Sequence, residues 1–181
     1  YTLWHTLSLH DALPISAIKV FAEQGFHQAT IAQVAREAGV ADGTIYLYFK
    51  NKADILYNFF SYKTRRVFEH FREVVDQAEG AEAKLRSLIR SHLGKFQRDG
   101  DMAAVFQREV LLPRYVDTAY IREIAMMYIN ILDEIIRLGQ SEGTIRKDLP
   151  VGLVKRLILG AVNEVINTWV ATGRQKDLVQ M

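Results

Sequence analysis

TIAQVAREAGVADGTIYLYFKNK, residues 30–52, sets two short helical patterns around a tight turn and closes on a lysine. Thr30 stands where its hydroxyl can cap a first helix. Gln33, three residues on, completes the reciprocal pattern in which each side chain meets the other residue's backbone N–H. Ile31, Val34, Ala35 and Ala38 recur at helical spacing and give that helix one inward face. Gly39 follows where the chain has to turn left-handed, a conformation glycine adopts without a Cβ penalty. Val40 plugs the turn, and Asp42 suits the positive N-terminal end of the second helix. Ile45 and Phe49, four apart, share that helix's buried face. The pattern predicts a helix-turn-helix.

Such a unit presents the N-terminal part of its second helix to base edges in the DNA major groove. Gly43 permits close approach of the backbone, while Thr44 and Tyr46 offer hydroxyls and an aromatic edge. Tyr48 and Lys52 are placed to reach phosphates, which fix register without reading sequence. Taken alone, a tyrosine here is more often a half-buried packing residue. The ordered set favours DNA.

Residues 21–56, FAEQGFHQATIAQVAREAGVADGTIYLYFKNKADIL, resemble the DNA-binding domain of the TetR family of bacterial one-component regulators. The resemblance rests on Phe21 and Gly25, the threonine-led helix, the Ala38-Gly39-Val40 turn, Gly43-Thr44, Tyr48-Phe49 and Lys52, in order and at fixed spacing. It implies an all-α fold: a three-helix DNA-binding domain followed by a helical ligand-binding and dimerisation domain. It also implies DNA contacts at Thr30, Thr44, Tyr46, Tyr48 and Lys52, and double-stranded operator DNA as a partner.

Composition agrees and excludes other classes. A chain of 181 residues, 49% hydrophobic, fits two modest domains. No uncharged apolar stretch is long enough to span a membrane. The absence of cysteine excludes a disulfide scaffold or thiolate metal site and suits a reducing cytoplasm. A net charge of +2 is too small to argue for nucleic acid by itself. His5, His10, His27, His70 and His92 are scattered without ligand spacing, and no nucleophile–base–acid set appears. We therefore expect no enzyme, metal or cofactor.

Residues 1–15, YTLWHTLSLHDALPI, differ from the rest. No Lys or Arg precedes Lys19, where TetR-like first helices carry several, and Pro14 suits only an early position of a helix starting near Leu13. The segment resembles a non-native junction; a short amphipathic arm carrying Leu3, Leu7 and Leu9 is the alternative. It is not a signal peptide, since it lacks a charged leader and a long apolar run. Residues 16–62 are then the DNA-binding domain, and residues 63–181 the effector and dimer domain.

Beyond Lys52 the chain reads as helix: 51–79, 81–98 ended by Asp99-Gly100, 102–112 stopped by Pro113, 117–139, and 151–172. The last of these is apolar around most of its circumference, so one side is expected on its own core and another on a second subunit. TetR-like proteins pair through their last two helices, which implies a homodimer reading a two-fold site. A monomeric bundle is the competing arrangement.

Residues 128–149 and 160–170, YINILDEIIRLGQSEGTIRKDL and GAVNEVINTWV, extend the resemblance to the FadR branch of the TetR family. Those repressors of fatty-acid degradation genes respond to long-chain acyl-CoA. Relatives continue beyond Met181, so a truncated last helix is expected. An acyl chain needs an apolar channel and a CoA head needs cations. Phe96, Phe106, Leu111, Met126, Met127, Tyr128 and Trp169 are candidates to line the channel, and Arg98, Arg108 and Arg114 to meet the phosphates. The plainer reading makes these aromatics core and these arginines solvated helix-end residues. Two rivals stay open: a repressor sensing another hydrophobic molecule, such as a drug, bile acid or free fatty acid, and a helical ligand-binding dimer without DNA binding.

Overall fold

Ser8 opens the first helix, accepting a hydrogen bond from the Asp11 N–H at 3.3 Å. The computed structural model describes residues 8–110 and 118–180 and, among them, is helical without a strand. The all-α expectation holds. Residues 1–7, Leu111, Pro113 and Arg114 lie outside the described residues, as do the side chains of Ile121 and Ile124.

Helix α1 runs Leu9–Gln24, starting a turn earlier than Pro14 suggests. Pro14 sits in its interior, where the missing N–H forgoes a helical bond, but its ring is buried with Leu13, Ala17, Ile18 and Phe21. Of residues 8–15, Ala12, Leu13 and Pro14 are buried while Ser8, Leu9, His10 and Ile15 are exposed, and the His10 ring lies 5.5 Å from that of Phe49. Gly25, at φ 82°, turns the chain out of α1 toward α2 (Ile31–Ala38) and α3 (Asp42–Tyr46). Val34, Ala35, Ile45 and Phe49 close onto α1, and the first three turns of α4 (Lys52–Asp76) complete this core with Ile55, Leu56, Phe59 and Phe60. Each fully buried Leu, Ile or Phe contributes about 1.5–3 kcal/mol.

At 25 residues, α4 is long enough, about 37 Å at 1.5 Å per residue, to serve two cores. Its second half gives Phe68, Phe71 and Val75 to a second core with α5 (Gly80–Arg98) and α7 (Thr118–Glu142), which supply Leu88, Tyr128, Leu132, Ile135 and Ile136. A third core joins Phe96 to Val162, Ile166 and Trp169 of α8 (Val151–Ala171) and to Leu178 beyond it. Between them lies the short α6 (Gly100–Val105): Met102 and Val105 belong to the first core, Ala103 to the third. Where an α-helix from 102 to 112 was expected, α6 ends at Val105 and a π-helical turn, Phe106–Val110, follows.

The last helix is less enclosed than its composition implies. Val162, Ile166 and Trp169 face inward, but Leu153 and Leu157 are 48% and 64% exposed, with Gly160 and Ala161 open on the same stripe. No helix among the described residues is long and apolar enough to cross a membrane.

Candidate functional site

The head is held by local bonds that its sequence encodes. Thr30 Oγ1 accepts from the Gln33 N–H at 3.3 Å, and Gln33 Oε1 accepts from the Thr30 N–H at 2.8 Å. Gly39 is left-handed at φ 69°, and its N–H and that of Val40 donate to Arg36 and Ala35 carbonyls at 3.2 and 3.0 Å. Ile45 and Phe49 pin α3 inward, as expected. Outward stand Tyr46, Leu47 and Tyr48, 59%, 80% and 41% exposed, with Thr44 half-buried beside them. Thr30 and Tyr46 share the rim of one open groove of about 550 Å³ with Lys50 and Lys52. Lys50 was not singled out in the sequence, although it lies two residues before Lys52 and is exposed.

Lys52 stands differently from the rest. Its Nζ donates to the carbonyls of Phe26, His27 and Ala29 at 2.7, 3.1 and 2.7 Å. It also lies 5.0 Å from the centre of the Phe26 ring. An ammonium has three N–H donors, and all three are engaged in the α1–α2 turn. In this structure Lys52 braces the loop that leads into Thr30.

In the second domain the structure brings four of the sequence-selected residues into one aromatic region. Ring centres run from Phe60 to Phe106 at 5.6 Å, to Phe96 at 5.5 Å, to His92 at 5.1 Å and to Tyr128 at 5.0 Å. Trp169 joins through Phe96's core, its indole N–H donating to the Lys176 carbonyl at 2.7 Å. Met127 is not among them; it lies on the exposed side of α7. Arg114 is outside the described residues.

His92, one of the histidines that showed no ligand spacing in the sequence, is a buried member of this region. Its Nδ1 is 3.1 Å from the Tyr128 hydroxyl, and both rings are buried. Burial pushes the imidazole down to about 4 and the phenol upward, so the pair is neutral at pH 7. Next along, Gln107 in the π-helical turn is only 9% exposed, and its amide nitrogen has no partner among the described residues. Inserted π turns recur at functional positions.

Arg108 does not extend freely toward solvent. Its Nε donates to the Ala104 carbonyl at 3.1 Å and its Nη2 to the Ala22 carbonyl at 2.7 Å. The guanidinium therefore ties the π-helical turn to the first helix of the head. No group of three or more His, Asp or Glu side chains arranged to hold a metal occurs among the described residues.

Residues 16–57 match the family described as bacterial regulatory proteins, tetR family, and residues 60–181 match the YsiA-like protein C-terminal region. The chain is 39% identical over 166 residues to the fatty acid metabolism regulator protein of Bacillus subtilis (strain 168), spanning 92% of this chain and 86% of that one. Among solved structures it is similar to the transcriptional regulator FadR from Bacillus subtilis in complex with stearoyl-CoA. That similarity has a TM-score of 0.83 and 38% identity, covering 93% of this chain and 91% of that one. The fatty acid degradation regulator FadR from Bacillus halodurans is similar at TM-score 0.82 and 36% identity, covering 94% and 92% of the two chains.

Proposed function

This chain belongs to the TetR family and is a DNA-binding transcriptional repressor of that type; from that premise we propose that it controls fatty-acid degradation genes and leaves its operator on binding long-chain acyl-CoA. The observation that carries this reading is the buried, uncharged aromatic region of the second domain, continuous through Phe106 with the head's core. The similarity to a regulator solved with stearoyl-CoA supports it.

We assign base contacts to Thr44 and Tyr46, phosphate contacts to Thr30, Tyr48 and Lys50, and to Lys52 the bracing of the loop behind them. The alkyl chain would pass among Phe96, Phe106, Tyr128 and Trp169, displacing packed rings. Met127 would stand at the mouth, with Arg108 and Arg114 meeting the phosphates. The head comprises residues 16–62, and residues 63–181 bind effector and partner. The open stripe of Leu153, Leu157, Gly160 and Ala161 would pair with a second copy in a homodimer using the last two helices. The chain acts in the cytoplasm, without catalysis or cofactor.

Release follows from differential affinity: a ligand shifts the head only by binding one pose more tightly than the other. A coupling of about 1–3 kcal/mol weakens DNA binding 5–150-fold. The test uses a duplex selected from random sequence and measures its affinity with stearoyl-CoA, free CoA and stearate. We expect the thioester alone to weaken binding within that range. Release by stearate would replace acyl-CoA with a free fatty acid as effector. No response to any of the three would sink the proposal.

Arg108 is the natural intermediary, because phosphates and the Ala22 carbonyl compete for the same guanidinium. Replacing Arg108 with Ala should weaken DNA binding about five-fold without effector, for a tie of about 1 kcal/mol, and should blunt the stearoyl-CoA response. Unchanged affinity and full response in Arg108→Ala would remove Arg108 from the switch.

A further inference from the structure

At the end of α3 the chain exposes Leu47 more fully than any other large apolar side chain described, 80% open between the two exposed tyrosines. A lone exposed leucine is ordinary on a protein surface, so exposure alone says nothing. Its setting does. Leu47 continues the reading helix in right-handed geometry at φ −70° and ψ −23°, its N–H donating to the Thr44 carbonyl at 3.3 Å. The next two N–H groups, of Tyr48 and Phe49, both donate to the Ile45 carbonyl at 3.0 Å. With Ile45 and Phe49 buried on the opposite side, the backbone that carries Leu47 is fixed.

When this surface meets DNA, Leu47 is desolvated along with Tyr46 and Tyr48. The tyrosines carry hydroxyls that hydrogen-bond to bases or phosphates; Leu47 carries neither donor nor acceptor. Against a polar base edge it would strip water and return nothing. The major groove offers one apolar group, the C5-methyl of thymine.

We propose that Leu47 is a specificity-determining residue that reads a thymine methyl in each half of the operator. This rests on the assignment of the α3 face as the DNA interface. It differs from the roles given to Thr44 and Tyr46, which act through hydrogen bonds.

The test removes the methyl and nothing else. Duplexes are first selected by the full chain, and each thymidine of a selected half-site is then replaced by deoxyuridine, which pairs identically. One thymine per half-site should show about a four-fold loss for the wild type, the worth of one buried methyl-sized group. At that position Leu47→Ala should bind the thymine and uracil duplexes equally. Because Leu47 is exposed, this variant should melt as the wild type does. Leu47→Gln should move the preference at that base toward adenine, whose N6 amino group donates to the amide oxygen while N7 accepts from the amide nitrogen. If wild type and Leu47→Ala respond alike to every deoxyuridine, Leu47 reads no methyl and the proposal is overturned. If no duplex is selected at all, the DNA-binding assignment fails first, and this inference falls with it.

Discussion

Replacing Lys52 with Met should weaken binding to every duplex about thirty-fold, lower the melting temperature, and leave the salt dependence of binding unchanged. The three effects separate a brace from a phosphate contact. The ammonium holds three carbonyls of the α1–α2 turn, and hydrogen bonds from a charged donor contribute about 1.5–3 kcal/mol each. Two of the three carbonyl bonds are part-buried and one is exposed, so water recovers part of the loss, and a net cost of about 2–3 kcal/mol is reasonable. Chains of this size lose roughly 2–4 °C of Tm per kcal/mol. About 1 kcal/mol in each head spent on re-forming the turn before Thr30, about 2 kcal/mol for the two heads, corresponds to the thirty-fold loss. A lysine that meets phosphate behaves differently: its removal lowers the slope of log affinity against log salt by about 0.9 for each contact. Lys50→Met should show that signature, a slope lower by about 1.8 for two heads at unchanged Tm. A reduced slope and an unaltered Tm in Lys52→Met would mean that the ammonium leaves the turn for the DNA.

The second large effect is on pH. In the unfolded chain His92 takes a proton below about pH 6.5, whereas burial among Phe71, Phe96 and Tyr128 holds the folded value at about 4. The unfolded state therefore binds more protons between those two values, and stability rises with pH across that window. The contribution is complete above about pH 6.5 and is lost as pH falls toward 4. At about 1.4 kcal/mol per unit the full loss is about 3 kcal/mol, of which about 2 is gone by pH 5. Urea unfolding of wild type and His92→Gln at pH 7.5 and pH 5 measures it. The variant should be less stable at the higher pH and nearly insensitive to this part of the acid range. Parallel pH dependence in both proteins would show that His92 does not stay neutral in the core. The carboxylates of Asp133 and Asp148 are held below their ordinary range by Lys155 and Arg137 and by Arg146 respectively, so their titration falls below this window. A neutral His92–Tyr128 pair also suits the proposed ligand, because an alkyl chain entering there meets a polar but uncharged contact.

The head was legible because its signals are local. Thr30 and Gln33 meet across three residues, Gly39 answers a left-handed turn, and Ile45 and Phe49 are one helical turn apart; spacing alone specifies each. The carbonyl partners of Lys52 were not legible because they lie 23–26 residues earlier, and backbone carbonyls leave no mark in a sequence. Arg108 hid its tie to Ala22 for the same reason, across 86 residues. The π-helical turn escaped because one altered turn barely disturbs apolar periodicity. The start of α1 was displaced because burial of Pro14 offsets the hydrogen bond it lacks. In the second domain, the plainer reading of the aromatics as core agrees with the burial of Phe96, Tyr128 and Trp169, with Phe106 half-buried against them. That His92 would meet Tyr128 required the packing of α5 against α7.

The seating of α6 bears on how such regulators can be recombined. Met102 and Val105 lie in the same core as Leu13, Phe21 and Ile45, some forty residues beyond the last residue assigned to the head. A chimera cut after residue 62 would graft a reader missing two of its own core side chains onto a sensor carrying foreign ones. The exchangeable cassette is discontinuous: the N-terminal segment together with one short helix from the heart of the other half. Drift at those two positions is therefore constrained by a domain to which, in linear order, they do not belong.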